Sequence, residues 1–133
     1  MFALKFAVIL YFAACTSIDH YTIGKTVTPV VTRGVWKVDL LKGANKGKSN
    51  DLSGYTFTFN SSGILTASKN GVDVTGNWFE DDITNRMTIK LDGTDPSLTK
   101  LNAHWNIREI SNEAVQLQDD NSANNEKLDI TML

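Results

Sequence analysis

The chain has 133 residues, with 13 Lys and Arg against 15 Asp and Glu. That length holds one domain, and the nearly balanced charge lacks the basic footprint of a nucleic-acid binder, so no nucleic acid is expected as a partner. A single cysteine, Cys15, excludes an intrachain disulfide and a zinc site built from cysteines.

Met1–Lys5 is short and positively charged, and the apolar run Phe6–Ala14 leads directly to Cys15. Such a run is too short to span a bilayer and suits the hydrophobic region of an export signal. Ala13-Ala14-Cys15 has the form of a bacterial lipobox, whose cysteine is acylated and becomes the first residue of the mature chain; Phe12 stands where an aliphatic residue is usual. An ordinary signal peptide cut near Cys15 and an uncleaved membrane-proximal segment are the alternatives. The division expected is a lipoprotein signal peptide over 1–14, lipidated Cys15 and a tether over 15–33, and a folded domain over 34–133. Two or more acyl chains hold a protein stably where one is marginal. The expected address is therefore the bacterial cell envelope, lipid-anchored at the outer membrane, with the bilayer as a partner through Cys15.

Residues 16–33 are rich in Thr and hold His20 and Pro29 without a sustained period, as a tether would. In Val35–Leu41, alternation places Trp36, Val38 and Leu40 on one face, the pattern of a strand with one buried side. Lys42–Ser53, with three lysines and two glycines, reads as a mobile loop. Tyr55, Phe57 and Phe59 alternate with Thr56, Thr58 and Asn60 in the clearest strand of the chain, and Ser61-Ser62-Gly63 turns it into Ile64–Lys69. Asn70-Gly71 is a strong hairpin signal, because both central positions of a type I′ turn need positive φ. Val72, Val74, Gly76 and Trp78 alternate next, with Gly76 marking a bulge or bend.

Glu80-Asp81-Asp82 and Asp92–Asp95 flank the strand Arg86–Leu91. Neither has the spacing of a calcium loop, so turn chemistry is the better account. Asp95-Pro96 predicts a capped helical turn over 96–102. Three strands complete the chain: His104–Ile110 with Trp105, Ile107 and Glu109 on one face, Ala114–Gln118, and Lys127–Met132 beyond the polar loop Asp119–Glu126.

The expected fold is all-β: eight antiparallel strands in an up-and-down meander, closed or nearly closed into a barrel, since closure removes both open edges. A two-layer sandwich is the alternative. Gly34-Val35-Trp36 resembles the G-x-W that opens the first strand of lipocalins. Gly54–Asn60, Gly63, Gly76-Asn77-Trp78, Leu101 with Trp105, and Leu117 with Leu128 continue a likeness to the small lipocalin-like lipoproteins of Gram-negative bacteria over about residues 33–133. The chain departs from lipocalins proper in offering only Lys127 where their last strand carries an arginine, and in lacking a C-terminal helix. The resemblance implies a lipocalin-like barrel.

Two functions follow as expectations. One is a binding module in which Trp36, Tyr55, Phe57, Phe59, Trp78 and Trp105 line or fill the barrel, which holds a small apolar or amphipathic molecule. The other is an accessory or structural lipoprotein with a filled barrel that offers its loops to an envelope protein. An enzyme is not expected: no nucleophile elbow is present, and His20 and His104 form no metal-ligand pattern, though His104 beside Trp105 is the residue to watch. No cofactor or metal is expected.

Overall fold

The structure, a computed structural model, describes residues 26–43, 46–48, 52–121 and 126–133. Two helical turns, α1 (Thr28–Val31) and α2 (Pro96–Thr99), accompany strands β1 (Val35–Gly43), β2 (Lys46–Lys48), β3 (Thr56–Phe59), β4 (Ile64–Lys69), β5 (Val72–Asp81), β6 (Arg86–Leu91), β7 (Ala103–Ile110), β8 (Ala114–Asp119) and β9 (Lys127–Met132). Every pairing is antiparallel. Neighbours follow chain order from β3 to β9, and β9 pairs with β1, so eight strands close a barrel while β2 is an additional flap on β1. The expected meander is therefore present, closed, with one strand more than the sequence suggested.

β1 shares one of its edges between two partners. Its beginning pairs with β3 through Val35↔Thr58 and Trp36↔Phe57, and its end pairs with β2 through Lys42↔Lys48 and Gly43↔Lys46. Its other edge runs along β9 from Trp36↔Met132 to Lys42↔Lys127. Lys42–Ser53 is thus not simply a loop: part of it prolongs the sheet, and Leu52 is buried in the core. Residues 44, 45 and 49–51 of that stretch lie outside the described residues.

Two register shifts change which residues face inward. The ladder to β9 slips between Val38 and Leu40, and the ladder between β7 and β8 slips between Ile107 and Glu109. An extra residue in one strand inverts the alternation beyond it. Leu41 is accordingly buried where alternation favours Leu40, and Ile110 is buried while Glu109 faces solvent.

Gly76 marks no bulge, because the β4–β5 and β5–β6 registers run through it without a shift. A methyl group there would strike the Lys90 carbonyl and lie 2.5 Å from Leu91 Cα. The neighbouring strand packs over the glycine itself. At Asn70-Gly71 both residues have positive φ, 54° and 79°, as a type I′ turn requires.

The tether expected over 15–33 ends earlier than position 33. Val27, Val30 and Val31 belong to the hydrophobic core, so the domain begins by Val27. Their spacing puts three valines on one side of a single turn, with Pro29 near its start. Because strands alternate in direction, α1 and the turns 60–63, 82–85 and 111–113 lie at one end of the barrel, called the lower end. The turn 70–71 and α2 lie at the upper end.

Substituting Gly76→Ala forces the β6 backbone away and should destabilise the protein by about 1–3 kcal/mol. Urea unfolding of the purified variant checks this, with exposed Val72→Ala, which meets no such obstacle, as the near-neutral control.

Candidate functional site

The barrel interior is the site that the aromatic residues point to, and the described side chains that face it are closely packed. Trp36, Leu65, Ala67, Met87, Trp105 and Val115 have 0% of their surface exposed. A void large enough for water would leave accessible surface on its lining side chains, so these groups touch protein on every side. Eight strands give a barrel just wide enough for such filling. The six aromatic residues expected to line or fill the barrel all face the core: Trp36, Phe57, Phe59, Trp78 and Trp105 are buried, and Tyr55 is half-buried against the cluster. Phe59 and Trp78 meet edge to face with ring centroids 5.5 Å apart, an attractive arrangement for aromatic pairs.

Each buried indole has its N–H satisfied by a backbone carbonyl. Trp36 Nε1 donates to Val31 O, Trp78 Nε1 to Asn60 O and Trp105 Nε1 to Leu101 O, each at 2.9 Å. The first of these acceptors ends α1 and the last follows α2. The tryptophans therefore fasten the two helical turns over the two ends of the barrel.

At the lower end α1 is held from the far side of the barrel by Glu80, the penultimate residue of β5. One carboxylate oxygen accepts the Val27 amide at 2.8 Å; the other accepts the Thr28 amide at 2.9 Å and the Thr28 hydroxyl at 2.6 Å. The acidic run Glu80-Asp81-Asp82 is thus a capping device and a turn. Asp81 accepts the Ile83 and Thr84 amides at 3.0 and 3.3 Å. Hydrogen bonds from the Thr84 hydroxyl and amide hold its carboxyl below the ordinary range.

At the upper end Asp95 caps α2 by accepting the Ser97 amide, as the sequence predicts, and also accepts the Tyr55 hydroxyl at 2.7 Å. Lys69 Nζ stands 5.2 Å from the centre of the Tyr55 ring. The Tyr55 hydrogen bond first, and the Ser97 amide next, hold the Asp95 carboxyl below its usual range; the same bond pushes the Tyr55 phenol up. These are positioning contacts between β3, β4 and α2.

His104 lies on the outer wall, where its Nδ1 is 2.9 Å from Thr88 Oγ1. Asp129 faces outward on β9, and its carboxyl is raised by partial burial and then by Asp39, against the pull of Lys127. The described surface depressions are partly open to solvent, and one of them, along β7–β8, has Ile110 and Ala114 in its lining. One lies over β7–β9 with Arg108, Gln116 and Asp129; another lies beside β1 with Lys37, Leu52 and Tyr55. Among the described residues no group of three or more His, Cys, Asp or Glu could hold a metal ion, and no helix is long and apolar enough to cross a membrane. Cys15 and His20 lie outside the described residues.

Sequence reasoning missed α1, Leu52 and the Glu80 clamp. The spacing of Val27, Val30 and Val31 around Pro29 was the available signal for the first. No local pattern announces Glu80, whose partners are 52 and 53 residues away.

These features define the class as a small, closed, filled antiparallel β-barrel with a helical turn over each end. The crystal structure of a DUF4847 family protein from Bacteroides vulgatus is similar to it, with a TM-score of 0.60 and 19% sequence identity over 79% of this chain and 96% of that one. Likeness at that identity carries the fold alone. No protein-family model matches the chain, and no curated protein does.

Replacing Glu80 with Ala leaves two amides and a hydroxyl of α1 without their acceptor and should cost roughly 1–3 kcal/mol, read as a lower urea midpoint. Glu80→Gln should fall between the two. The Asp95 carboxyl is depressed in the folded state, so its contribution is present at neutral pH and is lost as pH falls through the folded-state pKa. A plot of Tm against pH should therefore show an acid limb that flattens in Asp95→Asn.

Proposed function

We propose that the protein is a lipid-anchored cell-envelope lipoprotein whose barrel is a solid scaffold that meets its partners with its outer surface and loops. The observation that carries this reading is the interior itself. Trp36, Met87 and Trp105 leave no accessible surface, and each end carries a helical turn, with buried indoles bonded to Val31 of α1 and to Leu101 just after α2.

A barrel that carries a small apolar or amphipathic molecule needs room beside those rings. Opening that room means moving α1 or α2, each fastened by several hydrogen bonds, and exposing apolar surface at roughly 25 cal/mol per Å². Such a cost favours the accessory reading over the carrier reading. An envelope partner would meet a rigid wall that bears mixed charges, among them Arg108, Glu109, Lys127 and Asp129 around the β7–β9 depression. Loops on a rigid scaffold are common binding elements.

The anchor rests on the sequence alone, through the charged start, the apolar run and Ala13-Ala14-Cys15. Acyl groups at Cys15 would hold the chain at a bilayer without a membrane-crossing helix.

Native mass spectrometry of the full chain, extracted from the membranes of a Gram-negative host, should give the mass of the chain processed at Cys15 plus its acyl groups and nothing further. A stoichiometric apolar molecule released on denaturation overturns the filled-scaffold reading. Cys15→Ser should move the protein from the membrane pellet to the soluble fraction.

A further inference from the structure

The lower end of the barrel carries a band of apolar side chains that the core does not use. Val35 and Leu133 stand side by side on β1 and the end of the chain, where the Leu133 amide donates to Val35 O at 2.9 Å. Ile64 begins β4 opposite Asn77, and Phe79 lies two residues further along the same outer face of β5, a diagonal within reach of an aromatic side chain. Ile83 forms the tip of the next turn, held there by the two amides that Asp81 accepts. Phe79 is 58% exposed and Ile83 91% exposed. Exposed apolar residues scattered singly need no explanation. Here, among the described residues, five of the six exposed large hydrophobics share one end and Val72 lies at the other.

The same end receives the chain from its N-terminal side. Thr26 leads directly into α1 at the lower end, and eleven peptide steps separate it from Cys15. Even fully extended, that length reaches no more than about 40 Å. An anchor at Cys15 therefore joins the domain at its lower end and keeps that end within about 40 Å of the bilayer. Ionic groups around the rim are mixed, with Arg33 and Arg86 against Asp81, Asp82 and Glu113, so attraction to anionic headgroups is not the force that would seat it.

We propose that the lower rim, led by Phe79 and Ile83 with Ile64, Val35 and Leu133 beside them, is a membrane-docking surface that inserts into the interfacial region of the bilayer to which Cys15 is anchored. The proposal rests on the lipid-anchor reading. It adds an orientation: the barrel stands on its lower end, with α2 and the turn 70–71 turned away from the lipid. Aromatic and branched aliphatic tips suit the headgroup boundary, where apolar surface gains burial without crossing the membrane.

The test uses the full chain, extracted from host membranes and reconstituted into phosphatidylethanolamine and phosphatidylglycerol vesicles. Single thiols are introduced as Ile83→Cys and Val72→Cys, both at exposed positions outside the core, and labelled with an environment-sensitive fluorophore. A spin label on the lipid acyl chain near the headgroup serves as quencher, and the mass of the N-terminal peptide reports acylation of Cys15. The expected result is an acylated chain, several-fold stronger quenching at position 83 than at position 72, and no change in that ratio between low and high salt. Adding Phe79→Ser to the labelled Ile83→Cys chain should weaken the quenching. An acylated chain with equal quenching at both positions overturns the docking surface and leaves the anchor standing. A chain without acyl groups overturns the anchor and the docking together. Protection at position 83 that follows protein concentration and not lipid identifies a second copy of the chain as the occupant and also overturns the proposal.

Discussion

The structure depends on the pairing of its first strand with its last. β1 and β9 form the seam from Trp36↔Met132 to Lys42↔Lys127, and without that seam the remaining strands would be a curled sheet with two raw edges. Closure also fixes the interior volume. In a ring of eight strands the inward side chains meet across the axis, so the residues that close the wall are those that fill the space behind it. The bulges between Val38 and Leu40 and between Ile107 and Glu109 belong to this geometry, because an unpaired residue adds the local twist that a closing sheet needs.

The two ends are built alike. In each, a helical turn precedes a strand whose tryptophan reaches back to a carbonyl of that turn or of the residues just after it: Trp36 to Val31, and Trp105 to Leu101. Each strand then bulges shortly beyond its tryptophan. A fully buried indole N–H left without an acceptor costs about 1–3 kcal/mol, and a short helix leaves carbonyls unpaired at its end. One bond answers both needs at the lower end, where Val31 closes α1. The end covers are thereby coupled to the core instead of lying loosely on it.

The hairpins were legible because their signals are local. Asn70-Gly71 takes the two positive φ values its residues favour, and Tyr55–Asn60 alternates without interruption. Alternation failed beyond Val38 and beyond Ile107, since a bulge is a property of two paired strands and leaves little trace in either one. α1 escaped notice because three valines among threonines look like tether composition until their helical spacing is weighed. Glu80 could not be assigned from its neighbours, as its role is defined by α1, 52 and 53 residues away in the chain. The inward aromatics were legible as a face; whether that face enclosed space was a question of summed volume, and the contacts of Met87, Leu65 and Val115 answer it.

The seam between β1 and β9 also sets an order in time. β3, β4, β5 and β6 are joined by short turns and can pair as soon as each is made, since closing a small loop costs little entropy. β1 has no such option along its longer ladder, because β9 is the last strand of the barrel to be synthesised. Trp36 must wait beside an unfinished wall until Met132 arrives. A chain emerging from the ribosome thus stays open through most of its synthesis, a state that can still be threaded through a narrow channel. The seam can form only once β9 has been made, and it joins the first strand of the barrel to the last.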